Sequence, residues 1–253
     1  MNFSLKARAF ITLVVVLGLC VLAMAIAHAD AITPARFVAF LLVACLAARL
    51  KVKLPGVSGS MSVNLPFILV AAAEMGHLEA LLIGCLSNLV QCLPSRGKKF
   101  NWVRTVFNVC TMALAVEATR LVFGASFLSN YMASRSLRLG IATAGFLLIN
   151  TITVAIVLAL TESKNVGRAW LTMCQLSYPY FLASAGVAGV VLTLAVRVGW
   201  QVPVLVFPLM VGVFYSYRRY FALPPKLTEE MAPGKIGPGS VQQSQQKSAA
   251  SSS

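Results

Sequence analysis

The stretch Glu74-Met-Gly-His77-Leu-Glu79 sets two carboxylates and an imidazole side by side in a chain with only seven acidic residues and two histidines. An imidazole changes charge between about pH 5 and 8 in ordinary surroundings. Glu74, His77 and Glu79 are therefore candidate ligand-binding or pH-sensing residues. Glu-x-x-His is also the spacing of di-iron carboxylate helices, but such a site draws further carboxylates from neighbouring helices. Here only Asp30 and Glu117 would approach from the same side, so no metal is expected. The favoured reading is a solvated turn between two helices; the sharper one is an external ligand or proton site.

Other polar residues fall within apolar runs, where ionisable groups are costly and default to a functional reading. Glu117 and Arg120 stand three apart, one turn of a helix, either as a structural ion pair near an interface or as the lining of a ligand cavity. Asn101, Arg104, Asn108, Thr111 and Ala115 recur at helical spacing and predict a stripe facing other helices. Gly84, Asn88, Gln91 and Cys92 form a similar face, and Asn150, Thr151 and Thr153 add a third. Interhelical hydrogen bonding accounts for these groups in the first instance, and a polar pocket is the alternative. In "QLSYPYFLASAGVAGVV", Pro179 removes a backbone hydrogen bond between Tyr178 and Tyr180, and Ala185 and Gly189 provide small-residue packing. Asn88, Arg104, Asn108, Glu117, Arg120, Asn150 and Tyr178 make up the candidate intramembrane polar cluster.

Motifs for catalysis do not appear. There is no Walker A, HExxH, GxSxG or HD pair, and two histidines assemble no Ser-His-Asp set. The chain is expected not to be an enzyme and to carry no cofactor. The cysteines, Cys20, Cys45, Cys85, Cys92, Cys110 and Cys174, lie within apolar runs without zinc spacing, and read as small buried hydrophobes.

These residues must be positioned by helices in lipid. Of the 253 residues 58% are hydrophobic and 11% charged, against about a quarter charged in a soluble domain. Mean hydropathy is +0.82. The expected fold is all-α, a polytopic helical membrane protein of about eight segments, near 9–28, 35–50, 61–75, 79–93, 102–123, 139–160, 170–195 and 202–217. The third and fourth are short for the ~30 Å hydrocarbon core, so that pair either crosses a thinned bilayer or re-enters. The first segment reads as an uncleaved helix, although Ala27-His28-Ala29 also fits a signal cleavage site.

Charge placement orients the segments. With the N-terminus inside, the cytoplasmic clusters are Lys6 and Arg8; Arg49, Lys51 and Lys53; Arg96, Lys98, Lys99 and Arg104; Lys164 and Arg168; Arg218, Arg219, Lys226, Lys235 and Lys247. Of the 21 Lys and Arg, only Arg36, Arg120, Arg135, Arg138 and Arg197 then fall outside. That asymmetry predicts both termini in the cytoplasm, in a bacterial inner (plasma) membrane. It also explains the net charge of +14 without nucleic acid, for which no motif or basic aromatic face appears. Residues 1–223 are expected to form the bundle and 224–253, rich in Gly, Pro, Ser and Gln, a disordered cytoplasmic tail.

The run "LKVKLPGVSGSMSVNLPFILVAAAEMGHLEALLIGCLSNLVQCLP" and the following "FNWVRTVFNVCTMALAVEA" resemble the MASE-type membrane sensor modules that precede GGDEF or HD-GYP domains. The likeness lies in the basic "KVKLPG" entry, the Ser/Gly turn, the short pair around Glu74 to Glu79 and the "VFN" at Phe107-Asn108. It covers roughly 45–120 and implies a sensor linked through "YSYRRY" to a cytoplasmic effector. In this sequence "LPPK" follows instead, with no effector domain. The resemblance transfers no binding residues. The expected function is a non-enzymatic membrane sensor or signalling module whose partners are the lipid bilayer and either a cytoplasmic signalling protein or a second copy. The alternatives are a small transporter or substrate-binding transport subunit similar to the S components of energy-coupling transporters, and a scaffold with no ligand.

Overall fold

The computed structural model describes residues 4–29, 31–53, 60–94, 100–132, 134–162, 165–199, 201, 207, 208, 210–212, 215 and 219. Most of the expected eighth segment and the whole expected tail at 224–253 lie outside the described residues. Residues 1–214 form one compact unit and 215–253 another.

Local chemistry sets the helix boundaries. Helix α1 (Leu5–Ala27) opens where the Ser4 hydroxyl accepts from the Ala7 N–H at 3.2 Å, a side-chain cap for an orphan donor. Helix α2 (Pro34–Arg49) carries proline in its first turn, where no N–H is needed. Strands β1 (Lys51–Lys53) and β2 (Ser60–Ser62) pair antiparallel, Val52 opposite Met61. Helices α3 (Leu65–Glu74) and α4 (His77–Cys92) follow. Helix α5 (Trp102–Gly124) starts on an Asn101 cap to the Arg104 N–H. Short α6 (Ser126–Tyr131) precedes α7 (Arg135–Glu162). Helix α8 (Val166–Val198) is capped by the Asn165 side chain and stays helical through Pro179.

The fold is thus helical, and seven of the expected eight segments appear as helices within a few residues of their predicted bounds. Length and composition divide them. Among the described residues, α1, α5, α7 and the 177–195 part of α8 are long and apolar enough to cross a membrane. At ~1.5 Å per residue, α3 with 10 residues and α2 and α4 with 16 each fall short of ~30 Å. The β-ladder and α6 are additions that the apolar periodicity did not signal, because both are too short to carry a period.

Helix α3 is the centre of the unit. All eight residues from Leu65 to Ala72 are buried, surrounded by α2, α4, α5, α7 and α8. A helix apolar all round belongs inside other helices. Around it α7 packs between α5 and α8, and α1 lies on α5. There Gly18 permits the closest approach: a Cβ on it would meet the Cys110 Cβ at 2.6 Å. The long helices turn large apolar side chains outward, among them Leu17, Leu19, Leu121, Leu182 and Val190. None of the six cysteines is in a disulfide; Cys85 and Cys110 are buried as expected, whereas Cys20 is exposed.

Candidate functional site

The corner between α3 and α4 is two residues long, Met75 extended and Gly76 as the α4 cap. It places Glu74 on the last turn of one helix and His77 and Glu79 on the first turn of the next. Glu79 is 8% exposed. Its Oε2 accepts from the Gly76 N–H at 3.0 Å and its Oε1 from the Thr33 N–H at 3.1 Å. This is the acidic half of a capping box; glycine has no side chain to reciprocate. The carboxylate also sits at the positive end of α4 and ties it to the start of α2. Glu79 is therefore a structural clamp.

Glu74 meets two arginines. Arg135 Nη2 of α7 lies 2.7 Å from Oε1, and Arg36 Nη2 of α2 lies 3.8 Å from Oε2. Arg36 Nη2 also donates to the Glu74 carbonyl at 3.1 Å. Arg120 of α5 donates through Nη1 to the carbonyls of Met75, 3.1 Å, and Ala72, 3.4 Å. Two guanidiniums thus reach last-turn carbonyls that lack helical donors, at the negative end of α3 where cations are favoured. His77 Nε2 stands 2.6 Å from Glu117 Oε2, joining α4 to α5. Arg138, one turn along α7 from Arg135, lies with its guanidinium carbon 5.3 Å from the Phe123 ring centroid, within cation–π range.

Five helices therefore contribute to one charged corner of Arg36, Glu74, His77, Glu79, Glu117, Arg120 and Arg135, and Arg138 stands one turn further along α7. Glu117 and Arg120 both belong to it, with Glu117 engaged by His77. No protein-family model matches the chain, and no curated protein or solved structure does. The chemistry must be read from the corner itself. Its carboxylates are engaged by cations, an imidazole or backbone N–H groups. The arrangement gathers charge of both signs at the end of α3.

Two members of the expected polar cluster meet away from this corner. Asn88, 7% exposed, donates through Nδ2 to the Asn108 carbonyl at 2.8 Å, and Asn108 Nδ2 donates to Cys92 Sγ at 3.5 Å. They join α4 to α5 by hydrogen bonds. Three others correct the sequence reading. Arg104 is exposed, because the inward stripe of α5 begins one turn later, at Asn108, Thr111 and Ala115. Asn150 is half-buried and makes no side-chain hydrogen bond among the described residues; its neighbour Thr151 instead accepts from Trp170 Nε1 at 3.2 Å. Tyr178 faces outward, 57% exposed.

Tyr180 is the tyrosine that points in, since two residues on a helix are about 200° apart. Its hydroxyl donates to the Ser62 carbonyl and accepts from the Leu65 N–H at 3.4 Å. Beside it Ser62 Oγ donates to Asn64 Oδ1 at 2.7 Å, and Asn64 Nδ2 donates to Ser87 Oγ at 3.2 Å. This buried network anchors the start of α3. The opposite end of α2 and α4 is closed by Lys51, whose Nζ donates to the Leu93 carbonyl at 3.4 Å. Burial pulls this amine below the usual lysine range, with Cys92 opposing and Arg49 adding to the shift.

Proposed function

We propose that the chain is a non-enzymatic multi-pass membrane sensor or signalling module whose input arrives at the corner built from Glu74, His77 and Glu117. Its eight segments include the short pair, and both termini lie on the cytoplasmic face of a bacterial inner membrane. Support for lipid as the solvent comes from four long apolar helices with outward apolar side chains and from the lopsided placement of Lys and Arg. The likeness to MASE-type modules supports the sensing role.

One observation carries the reading: α3 is clamped by polar side chains at both ends and buried between them. Charge at the corner acts on Glu74 and the last carbonyls of α3. Its first turn, about 15 Å away along ten residues, is held by Tyr180 of α8. A packed helix moves as a unit, so a change in charge at one end displaces the other.

Hydrogen exchange of the full chain in nanodiscs tests this. Lowering the pH through the histidine range, after correction for intrinsic exchange, should alter protection at 60–66, and His77→Gln should remove that response. Equal pH responses in both proteins would overturn the role of His77. A transport subunit is the second reading, favoured by the short buried α3, since broken helices mark substrate sites in transporters. Solute uptake by the purified chain alone in vesicles would replace the sensor with it.

A further inference from the structure

Among the described residues Arg36 and Arg135 meet Glu74, Arg120 meets the last carbonyls of α3, and Arg138, one turn along α7, meets the Phe123 ring. The carboxylates are also committed: Glu79 to the N–H groups of Gly76 and Thr33, Glu117 to His77, and Glu74 to Arg36 and Arg135.

Arg138 has no anion among the described residues. Its Nε is buried without a hydrogen-bond partner, and Phe123 supports one face of the guanidinium. A guanidinium held against a ring is restrained in orientation and keeps its in-plane donors for a planar or tetrahedral oxyanion. Arg135, on the adjacent turn, leaves 45% of its side chain exposed, so the place is open to water. Leaving such a cation half-buried and unpaired is costly.

We propose that Arg138, flanked by Arg135, binds a phosphate-type oxyanion at the end of α7, either a free phosphate group or the headgroup of an anionic lipid. This rests on the reading of the corner as the input of a sensor, and names the chemical class of what enters it. Asp30 lies outside the described residues.

Thermal melting of the full chain provides that test. One arm adds inorganic phosphate to protein in a neutral maltoside detergent, at constant ionic strength. The other compares nanodiscs of phosphatidylcholine with and without phosphatidylglycerol. A saturable rise in melting temperature is expected in one arm, and the arm that responds names the source. Arg138→Gln should weaken the apparent affinity by about tenfold or more, as loss of a charge-assisted contact does. Arg138→Lys, which keeps the charge but loses the fork, should respond between the two, and serves if the glutamine variant does not fold. Arg104→Gln, exposed and distant, should respond as the parent does.

The proposal falls if neither arm responds, or if Arg138→Gln responds as the parent does. It falls also if a response appears only in Asp30→Asn, because an internal carboxylate would then fill the place. Such failures leave the exchange response at 60–66 intact, whereas failure of the sensor reading removes that response and leaves anion binding measurable.

Discussion

His77 on α4 and Glu117 on α5 meet at 2.6 Å, with 25% and 21% of the two side chains exposed. They lie 40 positions apart in the chain, and each stands beside a helix end held by other charges. The pair joins the corner's second helix to the wall of the bundle. A hydrogen bond between partly buried, ionisable groups contributes more than a neutral one. A double-mutant cycle of His77→Ala and Glu117→Ala, read by denaturant or thermal unfolding in detergent, should give a coupling of about 1–2 kcal/mol. Additive single effects would show that the contact stores no energy.

Tyr178 and Tyr180 offer a paired comparison. Tyr180→Phe removes a hydroxyl that serves both the Ser62 carbonyl and the Leu65 N–H, leaving two buried backbone groups short of a partner. A loss of about 1–3 kcal/mol is expected. Tyr178→Phe, at an exposed position, should change stability by less than about 0.5 kcal/mol. Equal melting shifts for the two variants would remove Tyr180 as the anchor of α3.

Close backbone approach predicts an asymmetry among glycines. Gly18→Ala places a methyl 2.6–2.9 Å from Cys110 atoms, two of them backbone, so α1 must move away from α5 at about 1–3 kcal/mol. Gly140 has nothing within 4 Å of a new Cβ, and Gly140→Ala should stabilise α7 by about 0.5–1 kcal/mol. Melting curves of the two variants should shift in opposite directions. A neutral Gly18→Ala would mean that α1 is not seated on α5 as described.

Glu79 accepts from two backbone N–H groups on different helices. Glu79→Ala should cost about 1–2 kcal/mol, the upper part of the range for lost caps. Glu79→Gln keeps one oxygen acceptor and should cost less. Urea or thermal unfolding of both variants checks the order, and the reverse order would show that the residue's role is not capping.

Seven helices could be placed from sequence because an apolar run is a local signal, whereas the caps at Ser4, Asn101 and Asn165 that set their starts came from the structure. Local physics also marked Glu74, His77 and Glu79 as unusual, since charge is scarce in so apolar a chain. What surrounds them is decided by packing across long separations. Arg36 and Arg135 looked like loop charges, each beside a different helix, and only the convergence of α2 and α7 on the end of α3 gathers them there. Helical spacing likewise put Arg104 on the stripe with Asn108, but where a helix enters its neighbours depends on the neighbours. The choice of Tyr180 over Tyr178 was equally out of reach, because rotation of α8 about its axis is set by what it packs against. Sequence alone determined the helices and their scarce charges; tertiary structure decided which charges meet, since electrostatic and hydrogen-bond energies depend on distances that a linear order does not contain.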